Sequence, residues 1–155
     1  MRDYEYTLSS KSSGDSLASK TSGTQTQSGN VIDLWGTSSS IFKDGWAGAI
    51  GPDIGEDGNI YLNCRVAAAL VGSGAANLVQ LYNHTAATSI KSGTLIAELK
   101  IPATAAAGNV YGMGVPKNRM SKRYLGVVYK SSGGTLTSAT LHTWIGRSAD
   151  TGYVA

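Results

Sequence analysis

Two histidines, one cysteine and a short run of carboxylates are the residues here whose chemistry is worth testing first. His84 falls in a stretch read as loop, HTAATSIKSG, and His142 on the outward face of a strand. A zinc site needs several nitrogen or sulfur ligands at short spacing, and Cys64 has no CxxC partner. Acyl transfer needs a nucleophile with a histidine and a carboxylate in reach, and no GxSxG elbow is present. Cys64 alternates with Leu62 and Val66, the place of a small buried hydrophobe. Asp53, Glu56 and Asp57 sit in GPDIGEDG, where oxygen ligands for calcium are conceivable, but the spacing departs from the EF-hand loop and reads as a solvated turn. GSGAAN (72–77) and YGMGVPK (111–117) are rich in glycine, yet neither has the GxxxxGK[ST] pattern nor opens a helix. The expectation is no catalytic residue, no cofactor and no metal: not an enzyme.

The cations gather once, at Lys117, Arg119, Lys122 and Arg123. Four positives in seven residues suit phosphate or an acidic protein surface. No nucleic-acid motif accompanies them, so a solvated loop or a protein contact is expected and nucleic acid is not. Charged residues make up only 15% of the chain and its net charge is +3, against about 25% charged in an average globular protein. A hydroxyl-rich, charge-poor surface fits a protein that meets other proteins over much of its outside.

The elements that would hold these residues are strands. IYLNCRVAAAL (60–70) alternates Ile60, Leu62, Cys64 and Val66 with Tyr61, Asn63 and Arg65, the period of a strand with one face in a core. ANLVQLYN (76–83) follows. TLIAELKI (94–101) is read with Leu95, Ala97, Leu99 and Ile101 inward, and Pro102 ends it. NVYGMGV (109–115) has glycine at alternate places. RYLGVVYK and TSATLHTWI flank a Gly-Gly turn, with Leu125, Val127, Leu141 and Ile145 inward and Tyr124, Val128, His142 and Trp144 outward. NVIDLW opens the set. The glycine-dense segment between NVIDLW and Ile60 reads as shaped loop with at most one short strand. No helical period appears beyond a weak, short one around Ala103–Ala107. About eight antiparallel strands with Gly-rich turns predict an all-β jelly-roll sandwich. No apolar run approaches the roughly 20 residues of a membrane helix, and the start lacks the apolar stretch of a signal peptide. Synthesis in the cytoplasm without a membrane partner is expected, and the lone cysteine excludes an intrachain disulfide.

Residues 1–29 are rich in Ser, Thr and Gly and poor in bulky apolar groups, whereas 30–155 carry the strands. The division expected is an extended N-terminal arm followed by a jelly-roll domain. The arm is a tail when free and orders against a neighbour in an assembly, with Tyr4 and Tyr6 as anchors.

The order NVIDLW, glycine loop, long alternating strand, NLVQLY, GTLIAELKIPA and basic GVPKNRMSKRYLGVVYKSSGGTLTSATLHTWI resembles the jelly-roll capsid cement (decoration) proteins of short-tailed bacteriophages, from about Gln25 to Ile145. Trp35 stands where that pattern has glycine, and the loop with Trp46 is enlarged. The resemblance implies a structural virion protein on the outer capsid surface, bound to the major capsid protein and to itself as a homodimer or homotrimer. The interface residues expected on this reading are Tyr4, Tyr6, Trp35, Trp46, Arg119, Arg123, Tyr124, His142 and Trp144. Trp144→Ala is then expected to weaken association and leave the fold intact, and removal of residues 1–24 to leave a soluble core. The alternative is a carbohydrate- or receptor-binding jelly roll of a phage head or tail appendage, which would use exposed Trp, Tyr and Asn.

Overall fold

The computed structural model of the chain describes residues 6–9, 14–18, 20, 23–34, 60–72, 77–116, 119–131 and 133–146. Nine strands run β1 (Tyr6–Thr7), β2 (Asp15–Ser16), β3 (Gln25–Asp33), β4 (Ile60–Gly72), β5 (Asn77–His84), β6 (Thr94–Ile101), β7 (Val110–Val115), β8 (Tyr124–Ser131) and β9 (Leu136–Gly146). They form two antiparallel sheets. The first is ordered β1-β9-β4-β7 with β2 also on β9, and the second β3-β8-β5-β6. Neighbours in each sheet are mostly distant in sequence, so successive strands cross between sheets. With β1 and β2 taken as one interrupted strand, this order is consistent with the jelly roll expected.

The core lies between the sheets and follows the alternation of the strands. Ile60, Leu62, Cys64 and Val66 of β4 are fully buried, in one cluster with Leu141 and Ile145 of the neighbouring β9 and with Leu125, Val127 and Tyr129 of β8 in the other sheet. Burial of each such side chain stabilises the fold by about 1.5–3 kcal/mol. A polar bridge crosses the same core. The Tyr129 hydroxyl donates to Asp15 Oδ2 at 2.9 Å and lies 2.9 Å from Thr143 Oγ1. Its single proton goes to the carboxylate, so the Thr143 hydroxyl donates to it. Burial, and then the Asp15 charge, raise the Tyr129 pKa well above that of a free phenol.

The strand reading differs from the structure at β6. Leu81 pairs with Ala97 and Tyr82 with Leu95, which leaves Ile96 as a bulge residue. One extra residue reverses the faces of everything before it. Leu95 is therefore exposed, not inward as the alternation predicts, and Ile96 is buried beside Ala97. Residues 103–107 form turns and not helix. A 3₁₀ turn, Ala87–Ser92, occupies the loop after β5 and lays Ile90 on the outer face of the second sheet. Ile90 covers Val128 and Tyr82 there, so Val128 is buried although it points away from the main core. Gly126 makes this possible, because a Cβ on it would stand 2.8 Å from Ile90 Cγ2.

The N-terminal segment joins the sandwich. Leu8 and Leu17 are in the main core, and β1 and β2 pair with β9. β3 begins at Gln25, five residues before the expected NVIDLW strand and inside the expected arm. Its pairing with β8 slips between Gln27 and Val31. At this bulge the Ser28 hydroxyl takes the Val127 amide at 3.2 Å, and Asn30 Nδ2 donates to the Ser9 carbonyl at 2.6 Å. Ser9 Oγ in turn accepts the Thr143 amide at 3.1 Å. Leu8–Ser9 thus tie an edge of one sheet to an edge of the other, where the sequence reading expects an arm that reaches a neighbour.

Candidate binding surface

One end of the sandwich brings together Tyr6, Arg119, Arg123 and Tyr124 of the residues singled out from sequence. Asp33 at the end of β3 pairs with Tyr124 at the start of β8, which pairs with His84 at the end of β5. In the other sheet, Ile60 pairs with Val115, Tyr61 with Gly146, and Tyr6 with Ile145. The short connection from Val115 to Tyr124 joins the two sheets at this end, and it carries the basic residues. The chain leaves β3 at this end and re-enters β4 at this end.

Arg119 and Lys122 are exposed on that connection. Its backbone is anchored: Asn83 Nδ2 donates to the Arg119 carbonyl at 2.6 Å, and the Arg119 amide bonds to Pro116 at 3.1 Å. Arg123 is engaged within its own chain. Its Nε and Nη2 meet the two oxygens of Asp33 at 2.9 and 2.8 Å, and its guanidinium stands 5.0 Å from the centre of the Tyr124 ring. The hydrogen bond to Asp33 raises the Arg123 pKa further. Such a fork pair fixes geometry while the solvent screens most of its energy. Arg123 is therefore a clamp between β3 and β8, and among the described residues of the connection the outward positive charge rests on Arg119 and Lys122, Lys117 lying outside them. The Asp33 partner was readable in NVIDLW only after the β3–β8 register was known.

Tyr124 is half-buried against Val128 and Ile90. His142 is half-buried on the outer face of the first sheet, its ring 5.5 Å from that of Trp144. Burial, then the Arg65 charge on the adjacent strand, lower the His142 pKa, with Asp15 acting against them. Trp144 corrects an expectation. It does point away from Leu141 and Ile145, but it is only 2% exposed, and the Asn63 paired beside it is fully buried. It is a packed residue of its own chain and not an open anchor. Tyr6 is on β1, while Tyr4, Trp35 and Trp46 lie outside the described residues, as do Asp53, Glu56 and Asp57.

His84 does local work: its Nδ1 accepts the Ala86 amide at 2.8 Å and shapes the turn before Ala87. Cys64 is buried and its thiol is pushed far up by desolvation, which disfavours the nucleophilic thiolate. Among the described residues no group of three His, Cys, Asp or Glu could hold a metal ion. What the described residues of this end present is a basic connection anchored at Arg119 beside the half-buried Tyr124, suited to contact with an acidic surface. No helix of the described residues is long and apolar enough to cross a membrane. No known family model matches the chain, and no curated protein sequence matches it either.

Proposed function

We propose that this chain is a structural virion protein that binds the outside of an assembled phage capsid and holds neighbouring major capsid subunits together. The observation that carries the reading is the order of segments from Gln25 to Ile145, now laid out as a two-sheet sandwich with the exposed cations Arg119 and Lys122 at one end. The charge-poor surface fits the same role. Binding only to the assembled shell adds its free energy to that state. Contact with several subunits at once multiplies the effect through effective concentration. The role requires no catalytic group, cofactor, nucleic acid or membrane.

Purified protein is expected to co-sediment with heads of its virus that lack it. Reversing both exposed charges, Arg119→Glu with Lys122→Glu, is expected to weaken that binding at least tenfold and to remove most of its salt dependence. Binding by the reversed variant equal to that of the wild type would remove the basic end from the interface.

A further inference from the structure

The four sheet edges are not treated alike. The β9 side of the first sheet carries only the two-residue strands β1 and β2. β3 is interrupted by its bulge and bonded to the N-terminal segment. β6 is bulged at Ile96 and bears exposed Glu98 and Lys100. Short strands, bulges and charges are the devices that keep an edge from pairing with another chain. β7, VYGMGV, has none of them. It is six residues long, uncharged and free of proline, and among the described residues it pairs with β4 alone.

Its edge away from β4 has a defined pattern. The Val66 amide donates to Asn109 at 2.9 Å and the Val66 carbonyl accepts from Gly108 at 2.8 Å. From Ile60 to Val66, the even-numbered residues of β4 therefore turn their backbone groups toward β7. Their partners Tyr111, Met113 and Val115 bond back to β4, which leaves the amides and carbonyls of Val110, Gly112 and Gly114 directed outward. Gly112 and Gly114 are exposed, and a Cβ on Gly114 would meet nothing within 4 Å. Glycine at two of three outward positions leaves bare backbone where another strand can approach.

We propose that β7 is the seam of a homodimer, pairing antiparallel with β7 of a second copy about a two-fold axis through Gly112. The strand is complementary to itself in one register. With Gly112 opposite Gly112 of the second copy, Val110 falls opposite Gly114, and all three outward positions exchange hydrogen bonds. Tyr111 then falls opposite Met113 of the second copy and Met113 opposite Tyr111. Both side chains already pack partly on the core margin, and sulfur against an aromatic ring is a favourable contact. No charge opposes its like, and the one residue on the axis has no side chain to collide with its copy. This is the isologous geometry that a closed dimer needs, and it does not depend on capsid attachment.

Sedimentation or light-scattering mass of the full chain without capsids is expected to give twice the 16.0 kDa of the monomer. Gly112→Lys, which sets two like charges face to face, is expected to return the mass to that of the monomer with an unchanged β-sheet circular dichroism spectrum. Cysteine scanning tests the register. Across the axis two Gly112 Cα atoms stand about 5.5 Å apart, inside the disulfide range, so Gly112→Cys is expected to cross-link under mild oxidation. The two Gly114 positions are four residue steps apart, roughly 13 Å, and Gly114→Cys is expected to remain uncrosslinked. Cys64 is buried and stays out of the reaction. A monomeric wild type at tens of micromolar, or cross-linking by Gly114→Cys as efficient as by Gly112→Cys, overturns the proposal.

Discussion

Trp144 and His142 are adjacent on one face of one strand and differ in what they can lose. The Trp144 ring is buried inside its own chain, so Trp144→Ala removes packing before it removes any contact with a partner. A cost of about 3–5 kcal/mol is expected, read as a fall in the urea midpoint of the isolated protein. An unchanged midpoint would return Trp144 to the surface. His142 carries a pH signature. Its folded pKa lies below its ordinary value, so the unfolded chain binds the proton more readily. Stability is then complete above about pH 6.5 and falls as pH drops below it, until the folded form also protonates. Urea unfolding at pH 7.5 and 5.5 is expected to show this loss, and His142→Asn to reduce it. A wild type equally stable at both pH values contradicts the assignment. The alternation of TSATLHTWI shows which way Trp144 points. It does not show that the ring is covered, because the covering groups come from outside the strand.

At the scale of elements, the N-terminal segment behaves as part of the sandwich. Leu8 and Leu17 fill core positions, and β1 and β2 take the open side of β9. Deletion of residues 1–24 empties both leucine sites and bares that edge, which invites strand pairing with other chains. The truncated protein is expected to aggregate or to melt at least 10 °C below the full chain in a thermal scan. A soluble fragment with unchanged melting temperature would show that the segment is a detachable arm. Strands β4, β8 and β9 were legible because several apolar residues repeat at period two. Leu8 and Leu17 were not, because one leucine in a polar stretch has no period. The β6 bulge was hidden for a related reason: Leu95, Ile96 and Ala97 are all apolar, and only the β5–β6 register decides which one is extra. The alternation of RYLGVVYK leaves Val128 open, because the 3₁₀ turn that brings Ile90 over it has no repeating signal.

At the scale of the molecule, the described residues form a rigid β framework with an anchored basic loop at one end and an unguarded strand at one side. The polar groups that cross the interior, Tyr129, Asp15 and Thr143, hold the sheets together. The candidate surface was partly legible: the cluster of cations was visible, but the division between Arg123 as a clamp and Arg119 and Lys122 as outward charges required the Asp33 contact. Both surfaces suit the proposed role, in which one would face the shell and the other a second copy. The most direct test of the proposed role is a cryo-electron microscopy map of an intact virion that carries the chain. The account predicts density for this two-sheet sandwich on the outer surface of the head, bridging adjacent major capsid subunits. A head surface without it, or the sandwich found only on the tail, would contradict the account.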